Sequence, residues 1–121
     1  MELNGGNTIE TALLKYKKGV GVFKEKIPDF VTKYTAFTEE CFKEGALNQK
    51  QKHLIALGIS IHAQDEYCII YHTKGCLDHG CSEQEIIETI AVTAALGGGA
   101  SVSQGVTLVV DCLNELGHSE Q

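Results

Sequence analysis

"LNQKQKHLIALGISIHAQDEYCIIYHTKGCLDHG", residues 47–80, decides the fold. Asn48 with Gln51 three residues on is a capping-box helix start. Leu54, Ile55, Leu57, Ile59 and Ile61 supply the apolar positions of the helix that follows. Asp65 is a good N-cap for a second helix, which Gly80 ends. The expectation is a central antiparallel hairpin of helices over 47–64 and 65–80.

The flanks extend the pattern in both directions. Downstream, Ser82 with Glu85 is another capping box, opening a helix through Ile86, Ile87, Ile90 and Leu96. "GGGAS" breaks it, and a last helix spans about Ser101 to Leu116, ending at Gly117. Upstream, Pro28 suits the first turn of a helix. Phe30, Val31, Tyr34, Phe37, Cys41 and Phe42 recur in it at three- and four-residue steps, and Gly45 ends it. A first helix runs from Ile9 to about Phe23, weakened at its end by Gly19 and Gly21. Residues 1–8 read as frayed, with Thr8 as a cap. "VTLVV" (106–110) is strand-like alone but lies inside a helical stretch. The chain therefore reads as one all-α domain, 1–121, of about six helices.

Composition agrees. The 121 residues are 43% hydrophobic and 21% charged, with one Pro and no Trp. That is enough for one hydrophobic core. A net charge of −6 argues against a nucleic-acid or acidic-membrane binder, which needs a basic face. The early lysines (Lys15, Lys17, Lys18, Lys24, Lys26) interleave with apolar residues as a solvated helix face does. The N-terminus lacks the basic and apolar regions of a signal peptide. The most apolar region, Ile86 to Val110, is interrupted by Glu88, glycines, serines and Gln104, so no membrane span is expected. Cytoplasm is the expected location. Five irregularly spaced cysteines do not form a secreted disulfide framework.

Chemistry concentrates in "DEYCIIYH", 65–72. Asp65 as N-cap puts Cys68 in the first turn, where free backbone N–H groups and the helix dipole favour a thiolate. The Asp65 carboxylate opposes this. His72, four residues on, lies on the same face and is placed to take the thiol proton directly or through one water. The competing reading makes Cys68 a small buried hydrophobe and His72 a core histidine. Cys76, two turns further along, has its Cα about 12 Å from that of Cys68. That exceeds the roughly 7 Å limit for a disulfide. Cys41 and Cys112 read as core. Cys68, His72, Cys76 and His79 are strung along one helix and cannot surround a single ion, so no metal is expected. "GGGASVSQG" lacks the Lys-Ser/Thr of a phosphate loop, so no nucleotide cofactor is expected. His118 reads as an exposed tail residue.

The segment from Leu47 to Gly99, with its "LIAL" helix, "YCIIYHTKGCLDHGCSEQEI" and glycine run, resembles the carboxymuconolactone decarboxylase / alkyl hydroperoxidase D-like (AhpD-like) family. The similarity extends upstream through "IPDFVTKYTAFTEECFKEGAL". The redox-active branch of that family has a glutamate, then a CxxC pair opening a helix, then a histidine four residues after the second cysteine. By this resemblance Cys68 takes the place of the peroxide-reacting cysteine and His72 that of the histidine. Asp65 stands where the first, resolving cysteine belongs. His53, fifteen residues before Cys68, stands where the glutamate belongs, and an imidazole also carries protons near neutral pH. The resemblance implies a homotrimer or homohexamer.

Three functions follow as expectations. The first is a thiol peroxidase-like enzyme. Cys68, activated by His72 with help from His53, reduces a hydroperoxide and is itself reduced by an external thiol. The second is a decarboxylase-type lyase acting on a small organic acid. There His72 works with Asp65, Glu66 or His53, and Lys52 or Lys74 is the nearest cation for the substrate carboxylate. The third is a non-enzymatic oligomer with a degenerate site.

Overall fold

The computed structural model describes residues 8–117. Of residues 1–8, expected to fray, 1–7 lie outside the described residues, as does His118, and Thr8 is helical. Helices α1 (Thr8–Lys26), α2 (Pro28–Phe42), α3 (Gln49–Ala63), α4 (Glu66–Asp78) and α5 (Glu83–Gly97) are followed by α6. α6 starts as Gly99–Gln104, passes through a π-helical turn at Gly105–Val109 and ends as Val110–Leu116. The fold is all-α, with no strand among the described residues.

The capping signals read at the starts of α3, α4 and α5 are present, whereas Thr8, expected as a cap, is the first helical residue of α1. Asn48 and Gln51 form a reciprocal capping box at α3, as do Ser82 and Glu85 at α5. Asp65 caps α4. The strand-like "VTLVV" is helical: its β-branched run coincides with the π turn and the start of the last segment. Gly105, which opens that turn, packs against Ile90. A Cβ there would come within 2.5 Å of the Ile90 side chain.

α3 and α4 form the central hairpin, and α5 lies along α3. The core fills with Leu57 and Ile61 from α3, Ile69 and Ile70 from α4, Ile86 from α5, and Leu108, Val109 and Cys112 from α6. Ile9 and Ala12 of α1 close one side. Gly58 lets α3 and α5 approach; a Cβ there would lie 3.0 Å from Thr93 Oγ1. An ion pair between Lys50 and Glu85 (2.9 Å) ties the starts of the same two helices together.

Two expectations about the upstream helices change. α1 does not end near Phe23: it continues through Gly19 and Gly21 to Lys26. α2 has the expected apolar stripe but buries none of it. Phe30, Tyr34 and Phe37 are all more than half exposed. Cys41, expected in the core, is exposed. Periodicity finds an apolar face; it does not say what covers it. No helix among the described residues is long and apolar enough to cross a membrane.

Candidate active site

The site is built on the α3–α4 turn. Gln64 adopts a left-handed conformation (φ 60°). This reverses the chain sharply, with Gln64 N–H donating to Ile61 O and Asp65 N–H to Ser60 O. Asp65 Oδ1 then accepts the Cys68 backbone N–H at 3.1 Å. Cys68 is thereby fixed in the first turn of α4, half-buried, on the wall of a cavity of about 450 Å³. Tyr16 of α1 and Tyr34, Thr38, Glu39 and Phe42 of α2 line one side. Gln49 and His53 of α3, Tyr67, Tyr71 and His72 of α4, and His79 complete it.

The imidazoles sit across the hairpin from one another. The His53 ring is held between Phe42 (centroids 4.7 Å apart) and His79 (4.5 Å), with His72 at 5.8 Å. His72 stacks nearly parallel on Phe42 at 5.7 Å. Room for His53 exists because α4 carries glycine opposite it: a Cβ on Gly75 would lie 2.6 Å from His53 Nδ1. The Nδ1 atoms of His53 and His72 are buried without a hydrogen-bond partner. Burial, then the neighbouring His79 and His72, push His53 down to about 4. Burial also lowers His72. Both rings are therefore neutral near pH 7, each with one N–H to donate and one lone pair to accept a proton.

Cys68 behaves differently from its helix-start position alone. Its thiol is raised above the ordinary value, first by burial, then by the Asp65 charge and by a thiol–carboxylate hydrogen bond. The dipole at a helix start lowers a thiol; here the low-dielectric wall and the adjacent carboxylate outweigh it. Asp65 spends one oxygen on the cap and still disfavours the thiolate. Cys68 Sγ thus faces Asp65, and among the described residues no hydrogen bond joins it to His72, although both line the cavity. A test separates the two contributions. Asp65→Asn keeps an acceptor for the cap and removes the charge. The pH midpoint of Cys68 alkylation is expected to fall relative to wild type, and alkylation at pH 7 to accelerate severalfold. An unchanged midpoint would mean that burial alone sets the thiol.

The other sequence candidates fall elsewhere. Cys112 is buried in α6 and Cys41 is exposed on α2, and neither lines the cavity. Lys52 donates to the carbonyls of Cys41 and Lys43. Lys74 pairs with Asp78 at 2.6 Å. Among the described residues no three His, Cys, Asp or Glu side chains are placed to hold a metal ion. Sequence reasoning missed the walls. Tyr67 and Tyr71 flank Cys68 at steps of one and three and were findable on the helix surface. Tyr16, Tyr34 and Phe42 come from helices whose docking no local signal reveals. His79, just past the end of α4, lines the cavity stacked on His53.

Comparison with known proteins agrees with this architecture. The family model described as carboxymuconolactone decarboxylase family matches residues 28–111. An uncharacterized protein of Cupriavidus necator is 22% identical over 75% of this chain and 80% of its own length. An uncharacterized protein of the cox locus of Paracoccus denitrificans is 34% identical over 56% of this chain and 61% of its own. The crystal structure of a carboxymuconolactone decarboxylase family protein from Legionella pneumophila superposes with TM-score 0.83 at 21% identity, covering 95% of this chain and 99% of that one. A family protein from Thermotoga maritima, whose name links it to an antioxidative response, gives 0.78 at 22% identity over 88% and 91%.

Proposed function

The chain belongs to the carboxymuconolactone decarboxylase family, and from that premise we propose that its helical cavity reduces hydroperoxides through Cys68. The observation that carries the reading is the placement of one half-buried thiol and two neutral, unpartnered imidazoles on the wall of one cavity. The resting thiol is protonated, so it needs a base at the moment of attack, and a neutral imidazole is one. His72, reached through one water, takes the proton as Cys68 Sγ attacks the distal peroxide oxygen. The S–O bond forms, the O–O bond breaks, and the departing alkoxide takes a proton from the imidazolium. His53 supplies a second relay beside His72. The product, a Cys68 sulfenic acid, is attacked by an external thiol: an S–S bond forms and water leaves. A second external thiol then frees Cys68 and departs as the external disulfide. The antioxidative name of the Thermotoga relative supports this branch.

The decarboxylase reading has less support. The cavity lining contains no Lys or Arg and does contain Glu39, a poor setting for a carboxylate substrate. The two lysines nearest in sequence are engaged elsewhere. The discriminating experiment is hydroperoxide turnover with a dithiol reductant, wild type against Cys68→Ser. Equal rates would end the peroxidase reading.

A second copy of the chain is the natural cover for the outer face of α3 and α5. Ile55, Ile59, Val92 and Leu96 line an apolar groove there of about 460 Å³, and Leu96 is 85% exposed. Exposed apolar patches of this kind mark interaction surfaces. We propose a homo-oligomer, trimer or hexamer, assembled through this face. Leu96→Glu is expected to convert it to monomer, read by size-exclusion chromatography with light scattering. A wild-type mass equal to one chain would overturn the proposal.

A further inference from the structure

Of the four thiols that the Cys68 mechanism leaves unused, two touch. Cys76 lies in the last turn of α4 and Cys81 just past its end; they are 0% and 6% exposed. The chain between them closes as a Schellman cap. Gly80 is left-handed (φ 86°). Gly80 N–H donates to Leu77 O at 3.2 Å and Cys81 N–H to Cys76 O at 2.9 Å. In this motif the residue two past the cap and the residue three before it make an apolar side-chain contact. Here both members of that contact are cysteines. A direct N–H···O=C bond between the two residues also limits their Cα separation to about 6 Å by covalent geometry. That lies inside the roughly 7 Å limit for a disulfide, whereas Cys68 lies outside it.

We propose that Cys76 and Cys81 are a redox-active dithiol, oxidised by a hydroperoxide to an intramolecular disulfide that locks the C-terminal cap of α4. Cys81 is the attacking thiol. It is the more exposed of the two; its S–H donates to Lys50 O at 3.8 Å, a bond that is given up when the thiol ionises. Burial raises both thiols; at Cys81 the S–H donated by Cys76 works against that rise, while the opposed charges of Glu85, which raises it, and Lys50, which lowers it, act together as an ion pair. The Cys81 thiolate attacks the distal peroxide oxygen; S–O forms, O–O breaks and the alcohol leaves with the thiol proton. Cys76 Sγ then attacks Cys81 Sγ; S–S forms, S–O breaks, and water leaves carrying the Cys76 proton. The closed ring spans residues 76–81 and contains His79. The His79 Nδ1 lies 2.8 Å from Gly75 O and its ring stacks on His53. The redox state of the pair therefore bears on the imidazole cluster without Cys68 taking part.

The test uses the full-length Cys68→Ser protein, which separates this pair from the peroxidase reading. It is titrated with hydrogen peroxide, denatured, alkylated and mapped by mass spectrometry. The expected result is loss of two alkylatable thiols together, in a peptide species joining Cys76 to Cys81 and lighter by two hydrogen atoms, restored by dithiothreitol. Cys81→Ser and Cys76→Ala in the same background, each checked for helical content by circular dichroism, are expected to abolish that species. If both thiols remain alkylatable after the exposed Cys41 has been oxidised, the inference fails. It fails equally if either is found bonded to another cysteine. Formation of the disulfide alongside a wild type inactive toward hydroperoxide would retain the inference and overturn only the Cys68 reading.

Discussion

Cys68→Ser is expected to bring dithiol-dependent hydroperoxide turnover down to the rate of the dithiol alone, with the helical content unchanged. The hydroxyl cannot replace the thiol, because a serine neither ionises in this range nor forms a sulfenic acid. His72→Ala is expected to leave a residue of activity. General-base assistance contributes about 10²- to 10⁴-fold, and His53 remains on the opposite wall at 5.8 Å to relay part of it. The pH profile carries its own sign. The Cys68 thiol is raised by burial and Asp65, while His72 is lowered by burial. The working state pairs a neutral imidazole with an ionising thiol, so turnover should rise as pH increases through and above neutrality and fall on the acid side, where His72 takes up a proton. Stopped-flow kinetics with an organic hydroperoxide over pH 5–9 reads this directly. A maximum on the acid side, with decline toward pH 9, would require a preformed thiolate that the site does not favour.

What the sequence made legible, and what it hid, follows from the range of the forces involved. Caps act over three residues, so Asn48–Gln51, Asp65–Cys68 and Ser82–Glu85 were readable and are present. The hairpin follows from them, and with it the meeting of His53 and His72 across the α3–α4 contact. Burial and charge act through the whole fold. The first-turn position of Cys68 pointed to a lowered thiol, but the wall formed with Tyr16 and Tyr34 from other helices, together with Asp65, reverses the sign. The apolar stripe of α2 was correctly spaced, yet its Cys41 was incorrectly assigned to the core, because amphipathicity is a property of one helix and burial a property of two. Phe42 illustrates the consequence. It belongs to that stripe, but its partners are the rings of His53 and His72 rather than aliphatic core. Gly75 is the least visible element of the site. Nothing in "HTKGC" says that the missing side chain makes room for an imidazole twenty-two residues earlier.

Gly75→Ala puts that dependence to the test and is expected to damage stability and site together. The added Cβ would approach His53 Nδ1 at 2.6 Å and Cε1 at 2.8 Å. The ring cannot simply swing aside, because Phe42 and His79 pack on it. In an exposed helix the same substitution stabilises by up to about 1 kcal/mol, since alanine has the better propensity. Here overpacking should reverse the sign and cost about 1–3 kcal/mol, read as a lowered midpoint in urea with an unchanged slope. Gly58→Ala is the internal control. Its Cβ would meet the Thr93 hydroxyl at 3.0 Å, a milder contact on the far side of α3 from the cavity, and it should cost less and leave turnover near wild type. A Gly75→Ala protein as stable and as active as wild type would show that His53 has freedom to move, and would remove it from the proton relay.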